Sequence, residues 1–170
     1  GGMVATKLSD GNLSIQTGSN NTVLDIKNNT FDRVKFKNWA VENDGTVFQS
    51  HLLVYKDKLD INYCYTGTCM NKDPRRFLAV CKDQNDKIIH VIVHCMTKTT
   101  LYEGSRKAYT FLKEFKDMKE IVFMVNLDTG CQNVFTLYQP NGSQRLIKII
   151  DGYDFVPIEQ AVNLLVYYYE

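Results

Sequence analysis

Hydrophobic and polar residues alternate in short runs over the first 55 positions: "NLSIQT" (12–17), "TVLDIK" (22–27), "RVKFK" (33–37) and "TVFQSHLLVY" (46–55). Period-two alternation puts successive side chains on opposite faces of a strand, so these runs predict strands with one buried face. Turn-formers stand between them, at Asp10-Gly11, Asn28-Asn29 and Asp44-Gly45, which reads as an antiparallel meander. Asp44-Gly45 is a strong hairpin signal, because both residues accept positive φ. "RFLAVCKD" (76–83) and "KIIHVIVHC" (87–95) then form a second hairpin pattern around "QND". The latter alternates little, which predicts a strand covered on both faces.

The period changes at "TLYEGSRKAYTFLKEFKDMKE" (100–120). Ala108, Phe111, Leu112 and Phe115 recur at helical spacing, with Lys107, Lys113, Glu114 and Lys116 opposite them, which predicts an amphipathic helix over about 103–118. Thr100 and Glu103 have capping-box spacing, and Ser105 is a second candidate cap. "EIVFMVNL" (120–127) is a buried strand, and Pro140-Asn141-Gly142 joins "VFTLYQ" to "RLIKII" as a hairpin turn. "AVNLLVYYYE" (161–170) reads as a strand from its Val, Leu and Tyr content, although Pro157 and Glu159 would suit a helix start. The expected fold class is α+β: a mixed, mainly antiparallel sheet with one main helix packed on it. Residues 1–44 form a β-rich N-terminal segment, joined to or part of the domain over 45–170.

Composition narrows the function classes. With 20 basic and 19 acidic side chains the net charge is +1, which gives no drive toward nucleic acid or an acidic membrane. No apolar run approaches the ~18 residues of a membrane helix, so no membrane span is expected, and no secretory signal is visible. Gly1-Gly2-Met3 is either a tag remnant or the start of a piece of a longer protein. The five cysteines are Cys64, Cys69, Cys81, Cys95 and Cys131. "CYTGTC" (64–69) either closes a short disulfide loop or holds free thiols, and its spacing does not fit a zinc knuckle. Cys81 and Cys95 sit in apolar runs, where a free thiol behaves as a small hydrophobe. Trp39 is a core anchor or a sugar-stacking ring.

Three places carry candidate chemistry. In "MVNLDTGCQ" (124–132), Asn126 and Asp128 stand where a buried strand meets a turn, with Gly130 and Gln132 behind them. A strand end fixes the backbone while the turn leaves side chains open. Asp128 is an acid, a base or a hydroxyl-gripping carboxylate, Asn126 a hydrogen-bonding partner for sugar or phosphate, and Gly130 permits close backbone approach. The alternative is that Asn126 and Asp128 satisfy backbone groups in a turn. Arg75 and Arg76 follow Pro74, and guanidinium forks match phosphate geometry; the alternative is a solvated charge pair. His90 and His94, four apart on one strand face, are ligands or acid–base groups, or satisfied core histidines.

The order of these segments resembles the phosphodiester glycosidase family. That family carries an Asn-Leu-Asp-Gly-Gly-Gly-Ser segment after a helix and an upstream Pro-Arg-Thr segment. Asn126, Leu127, Asp128 and Gly130 match the first, and Pro74 and Arg75 the second, over about residues 45–170. Thr129, Cys131 and Gln132 replace Gly, Gly and Ser; Arg76 replaces Thr; and His94-Cys95 stands where the family has Asp-Gly. The resemblance implies a hydrolase that releases a sugar from a sugar-1-phosphodiester without a cofactor or metal. It implies Asp128, Arg75 and His94 as catalytic residues, with Asn126, Gly130, Arg76 and Gln132 binding substrate. The ligand would be a carbohydrate or sugar phosphate, and the setting extracellular or virion-associated. The competing reading is a non-catalytic glycan-binding or structural module on the same fold. A metal or redox centre built on Cys64, Cys69 and the histidines ranks third.

Overall fold

A computed structural model of the chain describes residues 2–7, 12–16, 38, 41–42, 46–59, 70–127, 135–138 and 146–150. The chain divides into two compact units, Gly1–Leu127 and Asp128–Glu170. In the first, β1 (Gly2–Lys7) pairs antiparallel with β2 (Asn12–Gln16) on one side and with β3 (Thr46–Ser50) on the other.

The principal sheet has five antiparallel strands in the order β5–β4–β8–β6–β7. They are β4 (Leu52–Tyr55), β5 (Lys58–Leu59), β6 (Arg76–Asp83), β7 (Ile88–His94) and β8 (Met118–Leu127). The 13-residue helix α1 (Leu101–Lys113) packs on it. This is the α+β arrangement expected from the alternating runs and the single change of period. The six residues from Arg76 to Cys81 are all buried, so β6 is the strand covered on both faces. The β7 run, expected in that role, lies at the end of the strand order with every residue half-buried.

One face of the sheet packs Leu53, Phe77, Ala79, Cys81, Ile121 and Met124 against Leu101, Ala108 and Leu112 of α1. The far face buries Leu52, Leu78, Val80, Phe123 and Val125. α1 begins earlier and ends sooner than 103–118. Thr100 is the N-cap, its side-chain oxygen accepting from Glu103 N at 3.0 Å, which satisfies one of the free donors of the first turn. Ser105 lies inside the helix and donates to the Tyr102 carbonyl at 3.0 Å. After the C-cap Glu114, two tight turns lead into β8.

The buried stripe of α1 is Leu101, Gly104, Ser105, Ala108 and Leu112. Phe111 and Phe115 were expected inward, but they are half exposed, at 50% and 49%, and pack edge to face with centroids 4.9 Å apart. Gly104 explains the rotation. A Cβ there would meet Thr99 Cγ2 at 2.9 Å and the Phe77 ring at 3.2 Å, so the helix approaches the sheet on its smallest residue. At the opposite end of α1, the β4–β5 turn takes Lys56 and Asp57 into positive φ, 46° and 60°. Asp57 Oδ1 accepts from Ile121 N (2.8 Å) and Lys113 Nζ (3.0 Å), and its carbonyl accepts from Tyr109 Oη (2.9 Å).

The second unit contains β9 (Phe135–Tyr138) paired antiparallel with β10 (Leu146–Ile150), the two strands expected around Pro140-Asn141-Gly142. That turn, Asp44-Gly45, Trp39, Cys64, Cys69, Cys131 and the 161–170 run lie outside the described residues.

Candidate functional site

An antiparallel sheet puts the starts of some strands beside the ends of their neighbours. Here the starts of β4 and β6 meet the ends of β7 and β8. Arg76 is in register with both His94 and Leu127, Phe77 with Asn126, and Leu52 with Val125. The ladder extends one step further through Cys95 N to the Arg75 carbonyl (2.9 Å) and Asn126 N to the His51 carbonyl (3.0 Å). Ser50 Oγ donates to the Asn126 carbonyl. The start of α1 reaches the same end, because Asp73 and Thr99 form a two-way backbone bridge at 3.0 and 3.1 Å. His51, Arg75, Arg76, His94, Asn126 and the N-terminus of α1 therefore gather at one end of the sheet.

Strand alternation then separates them. Phe77 and Ala79 point toward α1, whereas Leu78 and Val80 point to the far face, so Arg76 belongs to the far face. In β7, Val93 packs toward α1 and Ile92 away from it, so His94 and His90 join Arg76. Asn126, opposite Phe77, shares the helix face. So does Arg75, whose Nε donates to the Thr99 carbonyl at 3.3 Å and whose Nη2 donates to the Asn71 carbonyl at 2.9 Å and to Asp73 Oδ2 at 3.3 Å. The sequence grouped Arg75 with His94. The fold gives them the same end of the sheet but opposite faces, with Arg75 beside Asn126's face and Arg76 paired with His94. Asp128, Gly130 and Gln132 lie outside the described residues.

Burial and charge set the protonation of this cluster. Arg76 is only 5% exposed, and burial lowers its pKa. His94 is held below the ordinary histidine value by burial and then by the positive charge of Arg76. His51 is lowered by burial first and then by positive neighbours that include Arg75. Both imidazoles are thereby favoured in the neutral form, since charging either one costs desolvation and repulsion. A neutral imidazole accepts a proton more readily than it donates one, which suits His94 to hydrogen bonding or base chemistry rather than to acid catalysis. His94 Nδ1 and Asn126 Oδ1 are buried with no hydrogen-bond partner among the described residues, a state that favours a ligand or water able to supply one.

Sequence reasoning missed Ser50, His51, Asn71, Asp73 and Thr99. His51 had a signal, a polar break inside "TVFQSHLLVY", where β3 gives way to β4. A shallow depression on the outer flank of α1, lined by Glu103, Arg106, Lys107, Thr110, Phe111 and Glu114, contains none of the strand-end residues. Among the described residues, no three His, Cys, Asp or Glu side chains gather closely enough to hold a metal ion, and no helix is long and apolar enough to cross a membrane.

No protein-family model, curated protein or solved structure matches the chain. The likeness to phosphodiester glycosidases accordingly rests on the "NLDTG" and "KDPRR" segments and on the order of the elements around them.

Proposed function

We propose that the chain hydrolyses a sugar-1-phosphodiester at the end of the sheet where β8 runs into Asp128. The observation that carries this reading is the register of Arg76 with Leu127, the residue before Asp128. A guanidinium thus stands in register with the last residue of β8, which Asp128 follows in the sequence. Water would add to the anomeric carbon as the bond from that carbon to the phosphate oxygen breaks, giving free sugar and a phosphate monoester. The departing group is a stable anion at neutral pH, so it needs a cation more than a proton. Asp128 would stabilise positive charge at the anomeric centre or orient the water. Asn126, Gly130 and Gln132 would hold hydroxyls or phosphate oxygens.

One observation favours a second reading, a module that grips a sugar phosphate without cutting it. His94 is biased toward the neutral form and faces away from Arg75, so this pair does not form a joint acid–cation set. The test is incubation of the purified chain with a panel of N-acetylglucosamine-1-phosphodiesters, reading released sugar, with Asp128→Asn as control. Release that disappears in the variant is the expected result. No release from any substrate, with sugar-phosphate binding still measurable by calorimetry, would select the binding module. Neither release nor binding would discard both readings.

A further inference from the structure

We propose that the outer face of α1 is a contact surface for a second copy of this chain, joining two protomers through antiparallel α1 helices around a two-fold axis. The proposal does not depend on the sugar-phosphodiester reading.

With Leu101, Gly104, Ser105, Ala108 and Leu112 turned to the sheet, α1 leaves Glu103, Lys107, Thr110 and Glu114 exposed. Steps of four, three and four residues place these side chains on one straight stripe, the seam spacing of paired helices. Phe111 and Phe115 flank the stripe, each half exposed and packed edge to face on the other. Phe111 and the four stripe residues line the shallow depression on this side of the helix. Aromatic rings left open beside a seam are the usual anchors of a protein interface.

The charges single out the occupant. Lys107 and Glu114 are seven residues apart, so they share a face but stand ~10.5 Å apart along the helix axis, too far to pair with each other. Among the described residues neither forms an ion pair. Glu114 is also the C-cap, where free carbonyls concentrate negative charge and a carboxylate is unfavourable. An antiparallel copy answers both. With the axis passing between Thr110 and Phe111, Lys107 of each copy lies across from Glu114 of the other. The contact repeats, as an isologous interface requires. The two-fold axis keeps each flank on its own side, so the two Phe111 rings meet, and the small Thr110 near the axis lets the backbones approach. A parallel pair would set Lys107 against Lys107 and Glu114 against Glu114. A 13-residue helix is only ~20 Å long, and such a footprint falls below the ~800 Å² per partner of a stable interface. The association is therefore weak and concentration-dependent.

The test is sedimentation equilibrium of the full chain from about 10 µM to about 1 mM. A reversible monomer–dimer equilibrium is expected, weakening as salt rises from ~0.05 M to ~0.5 M. Phe111→Ser, at an exposed position, should weaken dimerisation about tenfold or more. Lys107→Glu and Glu114→Lys should each weaken it about threefold or more, because each sets like charges across both contacts. Mixed with each other, those two variants should associate again, since both contacts between them join opposite charges. Thermal unfolding of dilute samples checks that each variant folds. A parent that stays monomeric at about 1 mM would overturn the proposal. So would a dimer that Phe111→Ser leaves intact, or charge variants that associate no better mixed than alone.

Discussion

Gly104 is the position where adding one methyl group should do the most damage for its size. Replacing Gly by Ala within an exposed helix usually stabilises by about 1 kcal/mol, through propensity and a less flexible unfolded chain. Here the new Cβ would lie 2.9 Å from Thr99 Cγ2 and 3.2 Å from the Phe77 ring. Phe77 is fully buried on an interior strand of the sheet, and Thr99 is 6% exposed and fixed by its bridge to Asp73. Neither has free space to move into, so overpacking should cost about 1–3 kcal/mol. Buried contact in this range matches or outweighs the propensity gain, and the expected net is a loss of about 0–2 kcal/mol, or a melting temperature lower by up to ~8 °C for a chain of this size. Chemical denaturation with an unchanged m-value is the assay. Thr99→Ser removes the offending methyl, so the double variant should recover at least half of the loss, a coupling read from the double-mutant cycle. A Gly104→Ala protein more stable than the parent would refute the close helix–sheet contact and with it the placement of the α1 N-terminus at the site.

Asp57→Ala should destabilise by about 1–3 kcal/mol in urea unfolding, since it removes the acceptor for Ile121 N and leaves a β-carbon at positive φ. Asp57→Asn keeps the acceptor and the tolerated conformation, and should cost under about 1 kcal/mol because the Lys113 partner is solvent-exposed. The lowered pKa of His51 and His94 fixes a sign. Below about pH 6.5 the unfolded chain takes up protons that the folded chain resists, so stability is full above that pH and falls as pH drops toward the folded values; His94→Gln should flatten part of that slope in a pH series of melting curves. Burial, and then the nearby Asp57 carboxylate, push the Cys81 thiol up to about 12, so it should resist iodoacetamide at pH 8 in the native protein and react on unfolding, as read by mass spectrometry.

Much of the first unit was legible because single residues carried unambiguous physical signals. Thr100 advertised a helix start three residues ahead of Glu103, and it is the cap. "RFLAVCKD" and "KIIHVIVHC" pair as a hairpin with an unbroken register from Arg76↔His94 to Lys82↔Ile88. The inward face of α1 was read correctly at Ala108 and Leu112 but not at Phe111 and Phe115, because hydrophobicity was weighed without steric room. Phe111 and Phe115 are the more apolar, but only Gly104, Ser105 and Ala108 let the helix settle on Phe77. The Lys56-Asp57 turn was illegible locally, since its positive φ values are held by bonds from residues more than 50 positions away. The sequence pointed to the end of β8 as a candidate location but not to the side chains around it. Which strand ends adjoin it depends on long-range pairing, which alternation does not encode.

The separation of Arg75 from Arg76 follows from that pairing with little latitude. Between Arg76 and Val80 the β6–β8 ladder runs without a bulge; its irregularities come later, after Val80 and after Lys82. Five consecutive residues therefore alternate strictly. Phe77 and Ala79 are fixed toward α1 by their contacts with the helix core, and Leu78 and Val80 are fixed away from it. A slip of one residue would bury the wrong set on both faces and turn each guanidinium over. Two neighbouring arginines on such a strand cannot converge on one phosphate unless the chain bends, and Arg75 is bonded to the Thr99 carbonyl, away from the far face. The two guanidiniums therefore serve opposite faces of the sheet, and no single group at this end can be held by both.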